Sequence, residues 1–156
     1  MTDADKLQQL WDRHQIEALN HIFGRSLDGG SVEDYLSIFA PNVDYRTGPK
    51  QLRGHAALRT FFESRAAQGR VSRHLICQLE VTPIDATRAT AQSSWLVFAG
   101  VGDLPIEGCT PFQMAEVADE LVRSDKGWLI ARREITSIFR NSALAPGAIG
   151  AAGAKP

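Results

Sequence analysis

The sequence predicts an α+β fold in which three helices precede a curved antiparallel sheet. Two observations carry this. Through about residue 67 apolar residues recur every three or four positions; beyond it four long β-branched and aromatic segments alternate with turn signals. A third fixes the size. The chain has 156 residues, 44% of them hydrophobic, enough for one domain with its own core and no disulfide or metal staple.

The first helix is expected over 5–27, where Leu7, Leu10, Trp11, Ile16, Leu19, Phe23 and Leu27 form a stripe. Gly29-Gly30 stops it. Ser31 then reads as an N-cap, with Asp34 in the place of a capping-box Glu. Tyr35, Ile38 and Phe39 give this second, short helix its apolar face, and Pro41 ends it. A short strand follows over Val43–Tyr45, then a turn at Thr47-Gly48-Pro49. The third helix opens at Gly54, continues through Leu58, Phe61 and Phe62 to about Ala67, and closes at Gly69. Strands are expected over 71–82, 88–100, 110–123 and 127–139, the last two joined by the hairpin Ser124-Asp125-Lys126-Gly127. A sheet curved around the helices leaves an apolar cavity at its mouth. Residues 142–156, rich in Ala, Gly and Pro, read as a mobile tail after a domain spanning 1–141.

Charge excludes several classes. Seventeen basic residues balance eighteen acidic ones, so nothing marks a nucleic-acid footprint. The scattered arginines, with the Arg132-Arg133 pair, read as solvated surface. Two cysteines, Cys77 and Cys109, fit no disulfide framework and no zinc spacing, and no two of the four histidines have a metal-ligand spacing. No metal and no cofactor are expected. With no signal pattern and no apolar run long enough to span a bilayer, a cytoplasmic protein is expected, without membrane partners.

Three side chains stand out chemically. Asp28 sits in the last turn of its helix, where a carboxylate faces the negative end of the helix dipole at a cost of up to about 1 kcal/mol. Arg25 can compensate it on the surface, or His74 in a pocket. His74 lies on the mixed face of its strand with Ser72, Ile76, Gln78 and Glu80, opposite the more apolar Leu75, Cys77, Leu79 and Val81; either face can line the cavity. Tyr45 is an oxyanion donor or an amphipathic core residue. Together the three supply a base, its orienting carboxylate and a hydrogen-bond donor. Trp11, Phe23, Phe39, Phe62, Trp95 and Phe98 are candidate walls of an aromatic-binding cavity, though each also suits a plain core. Trp128 reads as scaffold, His14, His21 and His55 as surface or capping residues, and Asp119 with Arg132 as a cross-strand ion pair.

The order of segments resembles the SnoaL-like branch of the nuclear transport factor 2-like superfamily over residues 7–140. The segments that carry it are Leu27-Asp28-Gly29-Gly30, Ile38-Phe39-Ala40-Pro41-Asn42-Val43, Leu52-Arg53-Gly54-His55-Ala56-Ala57-Leu58, Ser72-Arg73-His74-Leu75 and Gly127-Trp128-Leu129-Ile130-Ala131-Arg132-Arg133. Within that branch it is most similar to scytalone dehydratase-like proteins. The resemblance implies a cone-shaped α+β barrel with a pocket between helices and sheet. It also implies that Asp28 pairs with His74 beside Tyr45. Two departures stand out. No histidine occurs from Trp95 to Val101, where those enzymes carry a second one and this chain has Ala99 or a neighbour. Leu27 beside Asp28 also leaves their tyrosine pair incomplete. The implied function is a cofactor-independent lyase of dehydratase type, acting on a small hydroxylated aromatic or polyketide-like molecule. An isomerase or cyclase, a binding module, or a scaffolding subunit like the dioxygenase β subunits of this superfamily are the alternatives. A homodimer or homotrimer is implied by the same analogy.

Overall fold

The computed structural model describes residues 1–144. Helix α1 spans Asp3–Leu27, α2 Val32–Ser37 and α3 Gly54–Ala66. The strands are β1 Phe39–Thr47, β2 Lys50–Arg53, β3 Val71–Pro83, β4 Arg88–Gly100, β5 Pro111–Ser124 and β6 Gly127–Arg140. They form a single sheet in the order β2-β1-β6-β5-β4-β3. The sheet is open rather than a closed barrel, with β2 and β3 as its edges. All neighbours are antiparallel except β1 and β6, which run parallel.

Local chemistry explains the helix ends. Thr2 caps α1 in a reciprocal box with Asp5, a signal not read from the sequence. Ser31 Oγ accepts from the Asp34 N–H and caps α2. That helix is shorter than expected. Ile38 is its C-cap, and Phe39 and Pro41 belong to β1, which starts well before Val43. Strand β2 was not expected. Its four residues Lys50-Gln51-Leu52-Arg53 show no apolar alternation because an edge strand facing solvent needs none.

The core lies between α1–α3 and the concave face of the sheet, built on Ile16, Phe23, Tyr35, Phe39, Tyr45, Leu58, Trp95 and Ile130. Within it lies a fully buried ion pair. Arg133, with 0% of its surface exposed, donates to Asp119 through Nε (2.7 Å) and Nη2 (2.6 Å) and to Asn20 of α1 (2.7 Å), with its guanidinium 4.4 Å from the Phe23 ring centre. The expected pairing of Asp119 with Arg132 is therefore off by one. Asp119 faces Arg133 across the β5–β6 ladder, and Arg132 points outward to Glu120 and Glu134. Of the expected tail, Ser142–Leu144 form a short 3-10 turn, with Leu144 packed on Val97, Ala99 and Phe112; residues 145–156 lie outside the described ones.

Candidate active site

A cavity of about 90 Å³ opens between the C-terminal end of α1, the end of α3 and strands β1, β3, β4, β5 and β6. Its deep wall is apolar, with Phe23, Trp95, Val97 and Ile135 among its residues; its polar groups include Tyr45, His74, Arg65 and Arg70.

Strand β3 aims His74 inward. Ile76 pairs with Trp95 and Gln78 with Ser94, so Cys77 is the extra residue of a β-bulge. Before the bulge Ser72, His74 and Ile76 face the core; after it Leu79 and Val81 do. This phase change is why neither the odd nor the even face looked wholly apolar. Gly24 lets α1 approach: a Cβ there would lie 3.3 Å from the Trp95 ring and 3.4 Å from His74 Cβ.

Asp28 is the C-cap of α1 and turns its carboxylate onto β3. Oδ1 lies 2.6 Å from His74 Nδ1 and accepts from Ser72 Oγ at 2.9 Å, while Oδ2 accepts from the His74 backbone N–H at 2.8 Å. These donors offset the helix dipole. Burial alone would raise the Asp28 carboxyl, but the bonds from His74 and Ser72 hold it below the ordinary carboxylate range. Burial pushes His74 down, Asp28 restores only part of the loss, and Arg65 and Arg70 push it further down. An ionised Asp28 requires Nδ1 to carry the proton, leaving the Nε2 lone pair as the basic site. Tyr45 is buried to 2% exposure and burial raises its phenol.

The aromatic candidates divide. Phe23 and Trp95 line the cavity, and Phe62 lines a smaller one of about 30 Å³ beside it. Phe39 packs in the core without reaching the cavity. Trp11 is 54% exposed near the start of α1, beside Leu7 and His14, while its neighbour Asp12 turns toward Arg123 and Trp128 of the sheet. Phe98 lies on the opposite face of β4 from the buried Val97 and Ala99, so strand alternation removes it. His14 and His21 are exposed, and His55 bonds the Phe39 carbonyl at 3.0 Å, tying α3 to β1. Trp128 is buried with its indole N–H on Asp12. No cluster with metal-ligand character occurs among the described residues. Among the described residues, no helix is long and apolar enough to cross a membrane.

Arg65 and Arg70 were missed, as were Gln113 and Thr47. A signal existed for Arg65, since Leu58, Phe61, Phe62 and Arg65 continue one helical stripe. The residue facing His74 across the β3–β4 ladder is Val97, an apolar side chain that lines the same cavity.

The SnoaL-like domain profile matches residues 8–134 of this chain. The chain belongs to the SnoaL-like family. No curated protein matches it. Among solved structures, a protein of unknown function from Mycobacterium tuberculosis superposes with a TM-score of 0.78 at 22% identity, over 97% of this chain and 90% of the other. An NTF2-like protein with a cystatin-like fold from Novosphingobium aromaticivorans gives 0.74 at 23% identity, over 90% and 91%. A protein from the same organism, provisionally named a scytalone dehydratase, gives 0.74 at 19% identity, over 90% and 91%. At these identities the likeness establishes the fold, an NTF2-like α+β architecture. This SnoaL-like chain shares it along nearly its whole described length.

Proposed function

We propose that this SnoaL-like protein is a cofactor-independent lyase that removes water from a small hydroxylated aromatic or polyketide-like molecule. The observation that carries the reading is the 2.6 Å contact between Asp28 and His74 on the wall of an apolar cavity. His74 Nε2 takes a proton from a carbon adjacent to the hydroxyl-bearing one. The C–O bond breaks, and the imidazolium returns that proton to the leaving oxygen as water. Asp28 fixes the tautomer and stabilises the imidazolium, while Tyr45 donates to a substrate carbonyl. Such positioned proton transfer contributes on the order of 10²–10⁴ in rate.

Val97 opposite His74 favours a second reading, isomerisation. One base that removes a proton and returns it elsewhere needs no partner histidine. A screen of hydroxylated aromatics for water loss, run on the native protein and His74→Ala, tests both. Turnover that disappears in the folded variant supports His74 as the base, and retained turnover overturns the assignment. The product, dehydrated or isomerised, separates the two readings.

The assembly we propose is a homodimer or homotrimer. Leu75, Leu96, Met114 and Phe139 occupy one cross-strand row on the outer sheet face, with Leu75 47% and Phe139 69% exposed. Light scattering that finds a monomer at micromolar concentration overturns this.

A further inference from the structure

Two basic residues on the cavity wall take no part in the proton chemistry above. Arg65, in the last turn of α3, and Arg70, just ahead of β3, line both the main cavity and the smaller one beside it. All three guanidinium nitrogens of Arg70 are closed to solvent, and none has a hydrogen-bond partner among the described residues. The group lies over the Phe112 ring at 4.7 Å, and Arg140 lies against the same ring at 5.6 Å. Arg65 reaches Ser72 Oγ at 3.3 Å, a long contact for a charged donor. The carboxylate whose field reaches both arginines, Asp28, is already engaged by His74 and Ser72.

Burying a guanidinium without an acceptor is costly, and folded proteins keep such groups where something returns the lost hydrogen bonds. Burial brings Arg70 down to about 10, with Arg65 and Arg140 pushing the same way, so it stays charged at neutral pH. The cavity therefore presents unspent positive charge next to an apolar floor.

We propose that Arg65 and Arg70 form an anion subsite that takes a carboxylate carried on the ring of the ligand. The ring lies against Phe23, Trp95 and Val97, and the Arg70 guanidinium, covered while the cavity is empty, turns from Phe112 to meet the carboxylate beside Arg65. The ligand class narrows to aromatic carboxylates. This inference rests on the cavity being the ligand site, as proposed above, but not on any reaction occurring there. It has a consequence for His74. A bound carboxylate offsets the two cations that depress it, so the imidazole becomes more basic when the site is filled.

Calorimetric titration of the full chain with benzoate, its neutral isostere benzamide and inorganic phosphate tests the subsite. Benzoate is expected to bind about tenfold or more tighter than benzamide, in keeping with a charged hydrogen bond. Phosphate should bind more weakly than benzoate. Arg70→Gln should abolish the preference and leave benzamide affinity unchanged, whereas Arg70→Lys should keep part of it. Equal binding of benzoate and benzamide by the native protein overturns the proposal, and this comparison needs no variant to fold. Phosphate binding as tight as benzoate points to a free-anion site and also overturns it. His74→Ala should lose turnover and keep the benzoate preference. Benzoate preference in a native protein with no turnover sinks only the lyase reading; an active enzyme blind to the carboxylate sinks only the subsite.

Discussion

His74 engages Asp28 at two points, its ring Nδ1 at Oδ1 and its own backbone N–H at Oδ2. The carboxylate thus holds the side chain and the strand that carries it. A shift of β3 by one residue would break both bonds at once.

Asp28→Asn separates these roles. The amide can still meet the backbone N–H, but its NH₂ turned toward the ring forces the proton from Nδ1 to Nε2. Nitrogen NMR on labelled His74 should report the tautomer change with the fold intact. Turnover is expected to fall by about 10²–10⁴. An unchanged tautomer would remove Asp28 from the mechanism.

The pH dependence has a definite sign. Burial depresses His74 below its ordinary 6.5, so the basic form persists into mildly acid solution and the rate should rise with pH through a midpoint below 6.5. For stability, the unfolded chain binds the His74 proton more readily than the folded one. Its contribution is complete above about 6.5 and is lost as pH falls from there toward the lower folded value. The lowered Asp28 adds a second loss as pH falls below about 3.8. Urea unfolding across this range should show the first loss in the native protein but not in His74→Ala.

Gly24→Ala probes the approach of helix to sheet. The new methyl would press on Trp95 and His74 at 3.3 and 3.4 Å, and overpacking of this kind costs about 1–3 kcal/mol, against about 1 kcal/mol gained by replacing a helical glycine. Denaturant midpoints should fall accordingly. Ligand affinity should fall with them because the displaced side chains line the cavity.

Breaking the buried pair should cost more than deleting it. Asp119→Ala strands the Arg133 charge and is expected to cost about 3–5 kcal/mol. The double change Asp119→Leu with Arg133→Met should be less damaging than that single one. A double variant as unstable as the sum of the singles would mean that the pair contributes little through charge.

The dyad was legible because both members sit at marked places, Asp28 just before a Gly-Gly helix stop and His74 on a strand of mixed faces. The pair of cavity arginines was not. A lone arginine ordinarily reads as solvated, and only the α3 stripe hinted that Arg65 points inward. Phe98 and Trp11 were drawn in by aromatic character alone; strand alternation excludes the first and its exposed place on α1 the second. The bulge at Cys77 lies beyond sequence reading, because the extra residue appears only against the partner strand. Pro41 looked like a stop, yet it lies within β1, whose parallel partner β6 comes at the far end of the sheet-forming sequence.

That parallel pairing bears on how the protein is made. Tyr45 is in register with Arg133, so the strand carrying the phenol cannot take its place until the last strand exists. Asp28, His74 and Trp95 can associate while the chain is still growing, but the wall that holds Tyr45 must wait for a distant segment. Such long-range closure slows folding, and until it occurs the nascent chain exposes the aromatic surface that the finished cavity hides. For this protein, the pocket can be completed only after the final strand has been made.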